Sequence, residues 1–85
     1  MKNQIWILTE VEVTSEIDID HWSLAYSSES TAIDAMNQRI IDKIKYNEDN
    51  HYPEIDIDWR DETGAQLSTK DGTIWTFKIE KRTIN

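Results

Sequence analysis

The sequence contains no cysteine, which excludes a disulfide framework, a zinc site with cysteine ligands and a thiol nucleophile. It has only two glycines, and no glycine-rich turn joins a strand to a helix, so a nucleotide-binding α/β fold is not expected. No apolar run approaches the roughly 20 residues that cross a bilayer. Glu10 interrupts the apolar N-terminal stretch, which therefore predicts a strand and not a signal peptide. Together these absences predict a soluble protein of the cytoplasm.

Basic residues are scarce, because 9 Lys and Arg stand against 17 Asp and Glu and the formal charge is −8. A field of this sign repels nucleic acid and anionic membranes, so direct binding to either is not expected. The same field attracts cationic surfaces, including the basic grooves of proteins that themselves hold nucleic acid. In the alternative interpretation, the acidity serves solubility alone.

The 85 residues predict one domain, residues 1–85, with a single modest core. The first strand is expected at about residues 3–13. Its apolar side chains fall on both faces, which predicts a strand that is covered on both sides. The second strand is expected at 21–27, where Trp22, Leu24 and Tyr26 alternate with small residues.

A helix is predicted from about Glu29 to Glu48. Ser28 is a suitable N-cap for it, and Pro53 makes continuation of the helix into the next segment unfavourable. An apolar stripe at helical spacing marks the face that is expected to pack on a sheet, and it consists of Ile33, Met36, Ile40 and Ile44.

Three short strands with alternating polarity follow the helix and are expected to form a meander. In this prediction they are joined by three-residue loops that end in a left-handed glycine, Glu62-Thr63-Gly64 and Lys70-Asp71-Gly72. The resulting register pairs Trp59 with Leu67 and Leu67 with Trp75, so one cross-strand row of large side chains faces the core.

The order of the predicted elements, β-β-α-β-β-β, indicates the fold class. It lacks the βαβ alternation of parallel sheets. We therefore expect an α+β domain in which one helix packs on one face of an antiparallel sheet of about five strands.

Few residues are candidates for catalysis or metal binding. His21 and His51 could each join a neighbouring carboxylate, but neither has a second histidine at metal-ligand spacing. The acidic run at 56–62 fails the EF-hand pattern, since Arg60 stands where an acidic ligand is required. The prediction is a non-enzymatic protein without metal or cofactor, and a metal-dependent enzyme that uses either histidine is the alternative.

The five letters EIDID occur twice, at residues 16–20 and 54–58. Alternate residues of a strand point the same way about 6.6–6.8 Å apart, so the acids of the second copy form a row spaced like the phosphates of a nucleic-acid strand. Such a row could occupy a groove lined by Lys and Arg. The pattern favours a second interpretation, the solvated side of an edge strand, partly neutralised because Asp56 lies opposite Lys70 and Arg60 opposite Gln66. The first copy is therefore the stronger candidate for function. The row consists of Glu54, Asp56 and Asp58.

The first copy is expected to lie outside a regular strand, because its isoleucines are out of phase with Trp22. The alternation should therefore break near Asp20 and His21. Exposed aliphatic side chains among carboxylates suit a basic protein surface with an apolar centre, and a wide hairpin loop is the alternative. The residues of this predicted contact are Glu16, Ile17, Asp18, Ile19 and Asp20.

Residues 2–44, KNQIWILTEVEV…HWSLAYSSESTAIDAMNQRIIDKI, resemble small uncharacterised proteins of bacteriophages and other mobile elements of bacteria. Those proteins often begin with a hairpin of the WILTE kind and continue with an SSExxA helix start. The resemblance implies the cytoplasm of a bacterial host, a setting in which small acidic proteins inhibit nucleic-acid-handling enzymes, as anti-CRISPR and anti-restriction proteins do. It implies no catalytic or binding residue.

The predicted function is therefore that of a small acidic inhibitor or binding protein that engages a basic partner surface. In its sharpest form it is a phosphate-mimicking inhibitor of a nuclease or another nucleic-acid-binding protein. An immunity protein against a cationic toxin, and an accessory protein without a nucleic-acid-related role, are the alternatives. The sequence also leaves open a homodimer formed through an exposed sheet edge.

Overall fold

A computed structural model places the single helix on one face of a five-stranded antiparallel sheet, which confirms the expected α+β fold. The structure describes residues 3–14 and 18–84. Five strands and one helix follow one another along the chain as β1 (Asn3–Val13), β2 (Ile19–Tyr26), α1 (Glu29–Asp49), β3 (Asp56–Asp61), β4 (Gly64–Ser68) and β5 (Ile74–Ile84).

The strands lie in the order β2-β1-β5-β4-β3, so β2 and β3 form the two edges of the sheet. Three hairpins, β1–β2, β3–β4 and β4–β5, and the central pairing of β1 with β5 connect them. In that central pairing Leu8 lies opposite Ile79 and Glu10 lies opposite Phe77. Each end of the chain thus contributes one strand to the middle of the sheet.

The bounds of α1 agree with the prediction from its sequence. Ser28 is the N-cap, and its Oγ accepts a hydrogen bond from the Thr31 backbone N–H at 3.2 Å. At the other end, the Asn50 backbone N–H donates to the carbonyl of Tyr46, and the chain then turns away before Pro53. No helix in residues 3–14 and 18–84 combines the length and the apolar character that crossing a membrane requires.

The core lies between α1 and the central strands. Ala32, Met36 and Ile40 are the buried residues of the helix, whereas Ile33 and Ile44 of the predicted stripe are only partly buried. Each large aliphatic or aromatic side chain that is buried in this way contributes roughly 1.5–3 kcal/mol. The sheet side of the core is formed by Leu8, Ala65, Leu67, Trp75, Phe77 and Ile79, with Ile55 just before β3.

The sheet has a helix face, which α1 covers, and an open face on the other side. On β1 the helix face carries Leu8 and Glu10, and the open face carries the odd-numbered residues between Ile5 and Val13. The sequence predicted cover on both sides of β1. Among the described residues, however, no helix or strand lies over the open face.

The predicted break of alternation near Asp20 and His21 is wrong. β2 runs without interruption from Ile19, and its register with β1 is continuous from Ile19 opposite Val13 to Tyr26 opposite Trp6. Ile19 lies beside Val13 on the open face. Although Ile19 is out of phase with Trp22, it therefore has an apolar neighbour there, and the strand needs no bulge.

The loop between β4 and β5 has the predicted form. Thr69 donates its backbone N–H to the carbonyl of Thr73 at 3.0 Å, and Leu67 lies opposite Trp75. Gly72 has a φ of 95°, a conformation that favours glycine. This hairpin is therefore confirmed, both in loop length and in register.

The predicted loop between β3 and β4 is wrong. Asp61 lies opposite Gly64, so the loop has two residues and Gly64 belongs to β4. Asp61 stabilises this tight turn by accepting the Thr63 backbone N–H on its Oδ1 at 2.9 Å. A bulge between Ile57 and Trp59 compensates for the shorter loop, so Ile57 and not Trp59 lies opposite Leu67.

Candidate functional site

The two EIDID copies lie at opposite edges of the sheet. The first leads into β2 and the second leads into β3, and these are the outermost strands. Four strand spacings separate the edges, which is roughly 19 Å. The two copies therefore cannot form one continuous acidic row, and each has to be judged as a separate surface.

The first copy is divided between the two faces of its edge. Glu16 and Ile17 lie outside the described residues. Ile19 is 67% exposed and pairs with Val13 on the open face, whereas Asp20 pairs with Glu12 on the helix face. Because its isoleucine and its acid point to different sides, the part of this copy that the structure describes does not form the mixed apolar and acidic patch that the sequence predicted.

The second copy lies along a fully exposed strand. Glu54 precedes β3, Asp56 lies opposite Ser68 on the open face, and Asp58 is the extra residue of the bulge. The carboxylate of Asp58 accepts hydrogen bonds from Gln66 Nε2 at 3.0 Å and Ser68 Oγ at 2.8 Å. Asp56 and Asp58 are thus on the same side of the sheet, as the predicted carboxylate row requires.

The bulge turns Trp59 away from the core. The sequence placed Trp59 in a row with Leu67 and Trp75, but its ring is 45% exposed and lies against Gly64 on the open face. Ile57, which takes its place opposite Leu67, is 46% exposed. The edge strand therefore presents an exposed apolar side chain on each side of the sheet.

The charges that were expected to neutralise the second copy lie elsewhere. Asp56 is not opposite Lys70, and Arg60 is opposite Ala65 and not Gln66. Arg60 reaches instead to the helix, where its Nη2 donates to Asn37 Oδ1 at 2.5 Å. The two-residue loop shifts Arg60 by one position relative to β4, and the loop and the bulge together shift Asp56 by two.

The ion pairs of the chain are concentrated on two carboxylates. In the described ranges every ion pair ends on Glu10 or Glu80. Each of these glutamates binds two cations, so four basic side chains compensate only two acids. The five acids from residue 54 to residue 62, together with exposed Ile57 and Trp59, form a surface that we call the acidic edge. The acids are Glu54, Asp56, Asp58, Asp61 and Glu62.

Glu10 is a buried acid in the middle of the helix face, with only 4% of its surface exposed. Its carboxylate accepts the Arg39 Nε–H at 2.7 Å and lies 2.8 Å from Lys43 Nζ. Arg39 also covers the ring of Trp22 at 4.1 Å from the centroid, a favourable cation–π contact. These residues fix the helix to β1 and β2 by charge as well as by packing.

A cavity of about 540 Å³ opens beside this cluster, between the second half of α1 and the ends of the central strands. Trp75 is held at its wall, because the indole N–H donates to Glu12 Oε1 at 2.5 Å and Lys43 Nζ lies 5.6 Å from the ring centroid. The cavity can hold a small group with an apolar body and polar ends. Its other lining residues are Thr14, Arg39, Asp42, Tyr46, Asn47, Tyr52, Pro53, Thr69, Asp71 and Thr73.

Asp71 shapes one rim of the cavity. The Thr69 hydroxyl, followed by the Thr73 backbone N–H, donates to its carboxylate and holds the pKa of Asp71 below the ordinary value of 3.8. A lowered pKa in the folded state means that the unfolded chain binds the proton more tightly. The stabilisation from Asp71 is therefore complete above pH 3.8, and it is lost as the pH falls through the lower pKa of the folded state.

We expect Asp71→Asn to lower the urea midpoint at neutral pH. The difference from the wild-type protein should shrink as the pH falls below 3.8. Urea unfolding of both proteins over a pH series measures this. Thr69→Val serves as the control, because it removes the main donor to the same carboxylate. A loss in Asp71→Asn that stays constant at every pH would contradict this origin.

The two histidines lie in different parts of the fold. His21 lies on the open face of β2, and His51 follows α1 with a φ of 57°. Within the part of the chain that the structure describes, no group of three or more His, Cys, Asp or Glu is arranged to hold a metal ion.

Sequence reasoning missed Glu10 and the cavity beside it. The signal was present, because Glu10 shares its parity with Trp6 and Leu8, and Arg39 and Lys43 lie one helical turn apart. An acid on the core side of a strand requires a partner, and a pair of cations on the packed side of a helix supplies it.

No protein-family model, curated protein sequence or solved structure matches this chain. The resemblance to small phage proteins therefore stays a prediction.

Proposed function

We propose that this protein is a non-enzymatic binding protein that engages a basic protein surface through its acidic edge. One observation carries the proposal. Five acids along residues 54–62 share one edge with two nearly half-exposed apolar side chains, Ile57 and Trp59, one on each side of the sheet, and none of the described ion pairs involves these acids.

This combination matches the anatomy of a protein interface. Desolvated aromatic side chains supply much of the binding free energy, and tryptophan is prominent among them. A surrounding ring of like charge steers the partner to the site and selects against partners of the same sign. Trp59 and Ile57 would supply the apolar contact, and the carboxylates would supply attraction to Lys and Arg.

The sharpest form of the proposal is an inhibitor that imitates a phosphate backbone. Asp56 and Asp58 point to the same side of the sheet, so two carboxylates follow one another along this edge in the manner of successive phosphates. The partner would then be the basic groove of a nuclease or another nucleic-acid-binding protein. The charge of −8 and the resemblance to phage proteins support this choice.

The test uses displacement of a labelled DNA duplex from a panel of restriction endonucleases and RNA-guided nucleases. The double variant Glu54→Gln, Asp56→Asn removes two charges from the acidic edge. The matched control Asp18→Asn, Asp20→Asn removes two charges from the opposite edge of the sheet. We expect the first variant to bind at least about tenfold more weakly, because it removes two contacts as well as net charge. The control should lose much less affinity.

Binding to the inhibited enzyme should also weaken steeply with added salt, as expected for contacts that replace phosphates. Equal losses of affinity in the two variants would show that net charge alone acts. Binding that is independent of salt would exclude the acidic edge as the binding surface. A panel without any inhibited enzyme, together with tight binding to a cationic toxin, would favour the immunity-protein alternative.

A further inference from the structure

The open face of β2, β1 and β5 is unusually apolar for a surface that no helix or strand of residues 3–14 and 18–84 covers. An antiparallel sheet with one solvated side normally alternates between apolar and polar residues, with the polar residues outside. Here the helix face is apolar, and so is much of the open face. The apolar residues of this second side are Ile5, Ile7, Val11, Val13, Ile19, Ala25, Ile74 and Ile84.

The charge on this part of the open face differs from that of the whole chain. Its charged residues are Lys78, Glu80 and Arg82, which form ion pairs with one another at 3.1 and 3.0 Å. They sum to +1, whereas the chain carries −8. The uncompensated acids are therefore absent from this face, although they are frequent on the acidic edge and along α1.

We propose that this face is the contact between two copies of the chain, which pack sheet against sheet about a two-fold axis. Two acidic copies repel each other through most of their surfaces, and this face is free of that repulsion. A basic partner would find no uncompensated carboxylate here. The second copy also supplies the cover that the apolar pattern of β1 requires.

The available area is sufficient for such a dimer. Three strands at roughly 4.8 Å spacing and 11-residue strands at about 3.4 Å per residue give a face of about 14 by 37 Å, or about 500 Å². Two such faces bury about 1,000 Å² in total, which reaches the lower bound for a specific interface. Face-to-face sheets pack about 10 Å apart, with the side chains of both inner faces interdigitated.

This inference is independent of the proposed function. The dimer uses β2, β1 and β5, and it leaves β3 at the far edge of each sheet accessible to a partner. The two contacts also respond to salt in opposite ways. Salt screens the repulsion between acidic copies and strengthens the dimer, whereas it weakens the contact between the acidic edge and a basic surface.

Sedimentation equilibrium over a concentration series up to millimolar tests the dimer. We expect the wild-type protein to reach twice the chain mass of 10.0 kDa, and added salt to favour that form. Ile19→Glu should raise the dissociation constant about tenfold or more, because it places a charge in the apolar contact. Val11→Glu, at the centre of the face, should act in the same way.

Ile41→Glu is the matched control, because Ile41 is 55% exposed on α1 and lies away from the open face. It should leave the dimer unchanged. Ile19 is 67% exposed, so its substitution decides the question even if Val11→Glu fails to fold. A wild-type protein that sediments as a single chain at every concentration would overturn the proposal. So would a dimer that Ile19→Glu leaves intact, since that contact would have to use another surface.

Discussion

Replacing Glu10 by Ala is expected to lower the free energy of unfolding by about 2 to 4 kcal/mol. The carboxylate is buried and compensates two cations, Arg39 and Lys43, whose side chains are 40% and 21% exposed. Without it both cations remain beside an apolar core with no counter-charge. Their partial exposure allows some hydration, which keeps the loss below that of a fully buried ion pair.

Glu80→Ala is the matched control for this prediction. Glu80 also binds two cations, Lys78 and Arg82, which hold its pKa below the ordinary value of 4.5. That cluster is open to solvent, so water replaces the lost contacts and stability should change little. Urea unfolding of both variants gives the comparison. Equal losses would show that burial does not decide the contribution of these clusters.

A triple variant tests the cause of the Glu10 effect. Glu10→Met, Arg39→Met and Lys43→Met together remove the acid and both cations. We expect this protein to recover much of the stability that Glu10→Ala loses, because a buried charged cluster can be replaced by apolar side chains of similar volume. If the triple variant is less stable than Glu10→Ala, the packing of the long basic side chains, and not their charge, holds the helix to the sheet.

Gly64→Ala is expected to cost about 1–3 kcal/mol, as overpacking of a dense region does. A Cβ at this position would lie 2.9 Å from the carbonyl oxygen of Phe77 and 3.0 Å from Cη2 of Trp59. The ring of Trp59 is partly exposed and can move aside, but the Phe77 carbonyl belongs to the backbone of β5. The substitution therefore both displaces Trp59 and strains the pairing of β4 with β5.

A double-mutant cycle separates these two contacts. Trp59→Ala removes the ring, so part of the Gly64→Ala loss should disappear in the double variant, while the clash with Phe77 remains. Gly72→Ala is the control, because its cost comes from a φ of 95° and should add to that of Trp59→Ala without coupling. Additive losses at Gly64 and Trp59 would contradict the observed contact.

Local signals in the sequence predicted most of the fold. The Ser28 cap and the break before Pro53 gave the bounds of α1, and alternation gave the approximate positions of the strands. The Lys70-Asp71-Gly72 loop was predictable, because glycine in the left-handed region allows one register there that keeps Leu67 and Trp75 together. These features depend on a few neighbouring residues, which is why the sequence reveals them.

The arrangement of the acidic edge could not be predicted in the same way. Both a three-residue loop and a two-residue loop with a bulge are compatible with the letters between Ile57 and Gly64, and they place Trp59 on opposite faces. The choice depends on the Asp61 turn and on the Asp58 contacts with Gln66 and Ser68. Contacts between strands determine which of the two loops forms, and the periodicity of a single strand gives no information about those contacts.

The first EIDID copy shows the opposite error. The phase of its isoleucines relative to Trp22 predicts a break in the strand only if all apolar residues must face one core. The strand is continuous, and Ile19 pairs with Val13 on the open face. The pattern therefore indicated correctly that apolar residues lie on both the helix face and the open face of the sheet. The second copy that we propose would cover the open face.

The central pairing of β1 with β5 has a consequence for how the chain folds. Val13 lies opposite Ile74, so the two middle strands of the sheet are far apart in sequence and the β1–β2 hairpin has one unpaired side until β5 arrives. Closing so long a loop slows folding more than it affects stability. During synthesis the first hairpin and α1 therefore remain incompletely covered on their apolar surfaces until β5 has left the ribosome.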